Sequence, residues 1–310
     1  MISEKYGRVV KGLGGLFEVR IDGDDGVSRL ACRAKGILKR DEEKVLIGDL
    51  VKVEIDDETP DSIVISEILP RKNSLIRPPL ANLDLLFIVF AVAKPAPVLE
   101  TIDKLISIAE HNGIEPVAVI TKSDIADAEE IAEIYRAVGI DVFVTSSDGG
   151  DGISELSEYI KKAVSGGRCA AFAGASGVGK STLMNSLFPS LALATSEISK
   201  KIERGKHTTR HVEIFDIPAA DGVGFLADTP GFSLIDFARF DFFTLDELIP
   251  TFREFSPFLG KCRYADCAHV GEGADECAVA AAAERGIIPK SRLDSYRSIW
   301  SVLKGKSLYK

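Results

Sequence analysis

The stretch Gly174-Ala175-Ser176-Gly177-Val178-Gly179-Lys180-Ser181 carries the most explicit chemistry in the chain. Its spacing, G-x-x-x-x-G-K-[ST], is that of a loop that cradles phosphates. The glycines let backbone N–H groups turn inward around phosphate oxygens without Cβ clashes, and the following helix start adds partial positive charge. In this pattern Lys180 reaches the β- and γ-phosphates and the Ser181 hydroxyl ligates Mg²⁺. The flanks suit the motif: Cys169-Ala170-Ala171-Phe172-Ala173 is short, apolar and strand-like, and residues 182–188 space their apolar side chains as a helix does. An ordinary Gly-rich turn is the plainer alternative, but it leaves a complete Gly-Lys-Ser between strand and helix unexplained.

Three more polar groups follow apolar, strand-like runs. Thr121-Lys122-Ser123-Asp124, after Pro116–Ile120, resembles the [NT]-K-x-D motif with which GTPases read guanine. The Asp124 carboxylate can accept from guanine N1–H and N2–H₂ together. Adenine offers neither donor and leaves the carboxylate buried and unpaired, at a cost of roughly a few kcal/mol. The Lys122 stem can lie along the base. Ser146-Ser147 stands where a backbone contact to the guanine carbonyl is expected; a polar loop is the alternative. Residues 199–210 form a basic, Gly-interrupted loop in which Thr209 could close onto Mg²⁺ and the γ-phosphate. Residues 223–227 read as a strand ending in Asp228-Thr229-Pro230-Gly231, a D-x-x-G motif: Asp228 would hold Mg²⁺ through water and the Gly231 N–H would sense the γ-phosphate. Phe232 follows where a Gln would orient the attacking water. Slow intrinsic hydrolysis is therefore expected, with Lys180 and Thr209 in the catalytic set and His207 the internal candidate for placing water. A solvated loop histidine is the alternative for His207. The base-reading motif precedes the phosphate loop, so the order is circularly permuted.

These groups need a scaffold, and the 310-residue length allows two or three domains. The hydrophobic share of 45% and charged share of 27% are those of a soluble globular protein, and no apolar run is long enough to span a bilayer. Met1–Tyr6 has no signal-peptide core, so a cytoplasmic protein without a membrane partner is expected. The net charge of −9 argues against wholesale wrapping of nucleic acid and leaves room for local basic patches. Residues 1–72 read as five short strands with Gly-rich turns, an OB-type barrel whose basic and aromatic face is weak. Tyr6 and Phe17 are as consistent with core as with stacking, and Cys32 reads as core. Arg71–Pro79 reads as a basic, Pro-broken linker that could touch phosphates. From Leu83 the chain alternates apolar strands (85–92, 116–120, 142–144) with helices (about 99–112, 128–137 and 153–164), the pattern of a doubly wound α/β domain. Ligands of such sheets bind beyond the strand C-termini.

Residues 242–260 look helical up to Pro257. Cys262-x₄-Cys267-x-His269-x₇-Cys277 then places three sulfurs and an imidazole within sixteen residues, the donor set of a structural Cys₃His zinc site. Five cysteines, three of them here, argue for a reduced compartment and a metal rather than disulfides. Residues 278–285 are strongly helix-forming, and 289–310 form a basic helical tail that is either a solvated face or an RNA contact.

Taken together the chain resembles the circularly permuted, ribosome small subunit-dependent GTPases (RsgA, also YjeQ or EngC). The resemblance rests on the motif order, the Arg204-Gly205-Lys206-His207-Thr208-Thr209 run and the Cys-x₄-Cys-x-His cluster, and it covers nearly the whole chain. It implies an N-terminal OB barrel (1–72), a permuted GTPase domain (73–240) and a C-terminal zinc-binding helical domain (241–310). It also implies GTP or GDP bound by Thr121–Asp124 and Gly174–Thr182, and zinc on Cys262, Cys267, His269 and Cys277. Its implied role is late maturation of the small ribosomal subunit, through that subunit and its rRNA, with hydrolysis stimulated by the subunit; a monomer is expected. Thr121 stands where Asn is common in this motif. A small-molecule P-loop kinase and an RNA-binding scaffold with a vestigial nucleotide site are the rival readings.

Overall fold

The structure, a computed structural model, describes all residues except 1, 24–25, 37–43, 57–62, 147–149, 190, 192–211, 229–236, 238 and 308–310. In chain order the strands are β1 (Ile2–Leu13), β2 (Leu16–Gly23), β3 (Gly26–Ala34), β4 (Leu50–Asp56), β5 (Ile63–Ile68), β6 (Ser74–Ile76), β7 (Pro79–Ala81) and β8 (Leu85–Ala91). Then come α1 (Leu99–His111), β9 (Glu115–Thr121), α2 (Glu129–Arg136), β10 (Asp141–Val144), α3 (Ile153–Ala163), β11 (Cys169–Ala173), α4 (Lys180–Leu187), β12 (Glu213–Ala219) and β13 (Gly222–Asp228). Two 3₁₀ segments, Ile249–Thr251 and Arg253–Phe258, lead to α5 (Ala278–Glu284) and α6 (Lys290–Ser307). The chain divides into two compact units: Met1–Asp84, Ile160–Ala171 and Ser190–Gly231 in one, and Leu85–Tyr159, Phe172–Pro189 and Phe232–Lys310 in the other.

In the first unit, β1 pairs with β2, β2 with β3, β3 with β5, β5 with β4, and β4 returns to the N-terminal half of β1. This closes the expected five-stranded barrel. Alternation along the strands aims Val9, Val19, Ile21, Cys32, Val51, Val53 and Ile65 into one core, so Cys32 is core. Tyr6 is exposed. The stretch expected as a linker is instead built in: β6 and β7 form a hairpin, and Arg71 Nε lies 2.6 Å from the carboxylate of Asp49, which is fully buried. A buried carboxylate needs a cation more than a linker needs freedom, so Arg71 is committed inside the fold. β12 was not expected. It pairs antiparallel with β13 along its whole length and meets β1 at Lys11, while β13 runs parallel to β11.

In the second unit, β8, β9 and β10 are parallel, and every residue of β8 is buried, as a continuous apolar run requires. The segment expected to be helical up to Pro257 forms only the two short 3₁₀ segments; Pro250 and Pro257 lack the N–H that α-helical continuation needs. The basic tail departs from a simple solvated face in part. Arg292 of α6 is fully buried, with Nη1 2.7 Å from Asp103 of α1, Nε 2.7 Å from Glu254, and its guanidinium carbon 4.6 Å from the Phe252 ring centroid. Lys306 donates to the carbonyls of Phe237 and Phe240, and Arg297 to that of His269. These three cations bond within the unit, while Lys290 and Lys304 remain exposed.

Arg292 holds two carboxylates that have no water to turn to. Arg292→Ala is expected to cost about 3–5 kcal/mol, because truncating one member of a buried ionic group leaves the others uncompensated. Urea unfolding of the full chain, followed through its single tryptophan, Trp300 on α6, checks this. An unchanged midpoint would contradict it.

Candidate guanine-nucleotide site and metal cluster

The phosphate loop leaves the end of β11 and turns into α4, with Gly177 and Gly179 at positive φ (80° and 92°) and Gly179 capping the helix. Gly174, at φ 155°, presses on β8: a Cβ there would stand 2.2 Å from the Val89 carbonyl oxygen. Only glycine permits that approach. Lys180 Nζ bends back to within 3.5 Å of the Gly174 carbonyl, while Ser176, Ser181 and Thr182 are exposed, as are Ala175 and Gly177. Val178 is buried and anchors the loop from below.

The base-reading loop is tied directly to this phosphate loop. The buried Thr121 hydroxyl donates to the Val178 carbonyl at 2.5 Å. Lys122, at φ 62°, sends its ammonium to the Gly177 carbonyl at 2.8 Å and to that of Lys94. Ser146, buried after β10, donates its hydroxyl to Asp124 Oδ1 at 3.1 Å. The Ser123 N–H donates to the Thr145 carbonyl at 3.2 Å. Thr121, Lys122, Ser123, Asp124, Ser146 and the whole loop 174–182 therefore meet in one unit. Thr121 serves here as a strut between loops, a role that the four-residue motif did not disclose. The contribution of Lys94 was also missed; its only signal in the sequence was a Lys-Pro step just after a buried strand.

Asp228 ends β13 in the other unit and is exposed. Ser147, His207, Thr209 and Gly231 lie outside the described residues, as does the rest of the loop 199–210.

The four expected metal ligands converge. His269 Nδ1 lies 3.6, 3.5 and 3.4 Å from the sulfurs of Cys262, Cys267 and Cys277, and the Cys262 and Cys277 sulfurs are 4.0 Å apart. Zinc bonded to sulfur at about 2.3 Å and nitrogen at about 2.1 Å, with tetrahedral angles, sets its donors about 3.5–3.8 Å apart. The donor set suits zinc, all four donor atoms lie within 4.8 Å of one another, and four protein ligands would leave no open position. Local structure supports the cluster: His269 takes a left-handed φ of 61°, Cys277 caps α5 by accepting from the Ala280 N–H, and Tyr296 of α6 donates to the Ala268 carbonyl at 2.8 Å. Burial pushes the Cys267 thiol up to about 12 and raises that of Cys277, and it lowers His269.

A phosphate loop joined to a guanine-reading loop, with the reader first in the chain, defines a circularly permuted P-loop GTPase. The RsgA GTPase family profile matches residues 68–238, and that of the RsgA N-terminal domain matches residues 6–63. The small ribosomal subunit biogenesis GTPase RsgA of Alkaliphilus metalliredigens is 37% identical over 306 residues, spanning 98% of this chain and 99% of the relative. Among solved structures, YjeQ from Thermotoga maritima superposes with a TM-score of 0.78 at 33% identity, covering 98% of this chain and 99% of that one. YloQ, described as a circularly permuted GTPase, gives 0.76 at 30% identity, covering 98% and 96%. The chain belongs to the RsgA family.

Metal binding by the cluster must displace thiol protons, so affinity should fall as pH falls. The full chain with zinc bound, held at a fixed free-zinc concentration, is expected to lose zinc progressively from pH 8 to pH 5, and α5 and α6 should lose amide protection with it. Helices indifferent to chelation at every pH would contradict a zinc site here.

Proposed function

We propose that this chain hydrolyses GTP to GDP and phosphate as a cytoplasmic, monomeric factor in the late maturation of the small ribosomal subunit, stimulated by that subunit and touching its rRNA. The observation that carries the reading is the Thr121–Val178 hydrogen bond, which ties the guanine-reading motif to the phosphate-loop motif. Family membership over nearly the whole chain supports the ribosomal setting.

In this reading Asp124, steadied by Ser146, accepts from the guanine N1–H and N2–H₂. The Lys122 stem, drawn across to Gly177 and Lys94, flanks the base. The N–H groups of 174–182 and the Lys180 ammonium take the phosphates, and Ser147 adds a backbone contact to the guanine carbonyl. Mg²⁺ would be held by Ser181 and Thr209, with Asp228 acting through water; when bound it neutralises charge on the phosphates. By motif, Gly231 senses the γ-phosphate and His207 places the water. Zinc on Cys262, Cys267, His269 and Cys277 is structural. The working division is barrel 1–72 for RNA or ribosome contact, GTPase domain 73–240 and zinc-binding domain 241–310.

Asp124→Asn exchanges an acceptor for a donor opposite N1–H and N2–H₂ and suits xanthine instead. In steady-state turnover with purified small subunits, this variant is expected to lose about 10²-fold or more in kcat/KM for GTP and to gain activity with xanthosine triphosphate. Unchanged GTP preference would remove the base-reading assignment.

A further inference from the structure

The β12–β13 hairpin carries Asp228 at its end, and cations of the barrel hold that hairpin. Asp216 and Phe225 face each other across it, and Arg20 of β2 grips both. Its Nε is 2.9 Å from the Asp216 carboxylate and its guanidinium carbon 5.0 Å from the Phe225 ring centroid. Arg8 of β1 lies against the same ring at 4.5 Å, while its Nη2 donates to the Gly167 carbonyl, just before β11, at 3.1 Å. Both guanidiniums are more than nine-tenths buried, so they act away from screening water. Three residues along β13 from Phe225, Asp228 stands opposite Glu213, and Glu213 stands opposite Lys11 of β1. The Lys11 ammonium is 2.9 Å from the Glu213 carboxylate. Directly opposite residues share a face of a sheet, so Lys11, Glu213 and Asp228 form one row across three adjacent strands. Two carboxylates facing each other repel, and Lys11 neutralises the inner one.

Resting on the reading of this chain as a GTPase, we propose that Lys11, Arg8 and Arg20 are positioning residues for GTP hydrolysis: through Glu213, Asp216 and Phe225 the barrel sets the β12–β13 hairpin and with it the carboxylate of Asp228. These contacts belong to one compact unit, whereas the phosphate loop and the base reader belong to the other. The clamp acts through Asp228, so its effect is expected in turnover rather than in affinity for the guanine nucleotide. Strain in β1 reaches Asp228 through the Lys11–Glu213 row, and strain in β2 reaches the hairpin through Arg20.

The test uses the full chain with Lys11→Ala, Lys11→Arg, Arg20→Lys, and Lys11→Ala combined with Glu213→Gln. Three quantities are measured: amide hydrogen exchange of the described residues 213–228 without nucleotide, GDP affinity, and kcat and KM for intrinsic GTP hydrolysis. Lys11→Ala is expected to lower kcat about fivefold and to speed exchange at 213–228, with GDP affinity and KM within about twofold. Lys11→Arg keeps the pair and should match the unmodified chain. Adding Glu213→Gln to Lys11→Ala removes the uncompensated carboxylate and should restore kcat and protection, which loss of a merely structural contact would not do. Arg20→Lys keeps the charge but loses the planar grip on Asp216 and Phe225, and should lower kcat about tenfold. Full turnover in both Lys11→Ala and Arg20→Lys, failure of Glu213→Gln to restore, or a loss that tracks GDP affinity would each overturn the proposal. If the unmodified chain hydrolyses no GTP, the GTPase reading fails, and exchange at 213–228 with its rescue still decides the clamp.

Discussion

The candidate nucleotide site depends on one constraint: the phosphate-loop motif is held from two sides, by the close-packed Val89 carbonyl and by the Thr121 hydroxyl. Gly174 lies so close to Val89 of β8 that no side chain fits, and Val178 is tied to Thr121 at the end of β9. A loop of glycines has more conformations to lose than any other segment, and its phosphate-binding shape persists only where its surroundings over-determine it. The apolar run of β8 and the buried Thr121 hydroxyl supply that determination. Lys122 then bonds the Gly177 carbonyl and Ser146 holds Asp124, and polar groups held in advance leave little ordering to be done on binding.

Charge is used differently in the two units, although the chain is acidic as a whole. In the second, Arg292 sits buried between Asp103 of α1 and Glu254, so the helix that follows β8 and the helix that packs on the metal cluster share a single cation. In the first, Arg8 and Arg20 are spent on one aromatic ring and on Asp216, joining the barrel to the hairpin that ends at Asp228. In both places cations are used inside the protein, to hold carboxylates and aromatic rings.

The placement of the candidate site was largely legible in the sequence because phosphate, guanine and zinc each demand residue types at short spacing. The loop 174–181 and the tetrad 121–124 come together in one unit, and the side chains of Cys262, Cys267, His269 and Cys277 converge. The buried strand β8 was legible for a similar reason, since seven consecutive apolar residues have few other uses. What escaped were partnerships across long separations. Arg292 read as a surface cation because its partner Asp103 lies 189 residues away. Arg71 read as linker because nothing near it announces the buried Asp49. β12 was overlooked although Ile214 and Ile217 are its buried positions, because Asp216 and Pro218 break the apolar signal and its pairing with β1 is non-local. Helical expectation over 242–260 failed on Pro250 and Pro257, whose missing N–H groups favour short 3₁₀ segments.

The measurement that bears most directly on the central claim is steady-state GTP hydrolysis by the unmodified chain, alone and with purified small or large ribosomal subunits at matched salt. With Phe232 where a water-orienting Gln is expected, intrinsic turnover should be slow, and the small subunit should raise it by about 10²-fold or more while the large subunit does little. Equal turnover in all three mixtures, with guanine nucleotide still bound, would contradict a switch gated by the small subunit.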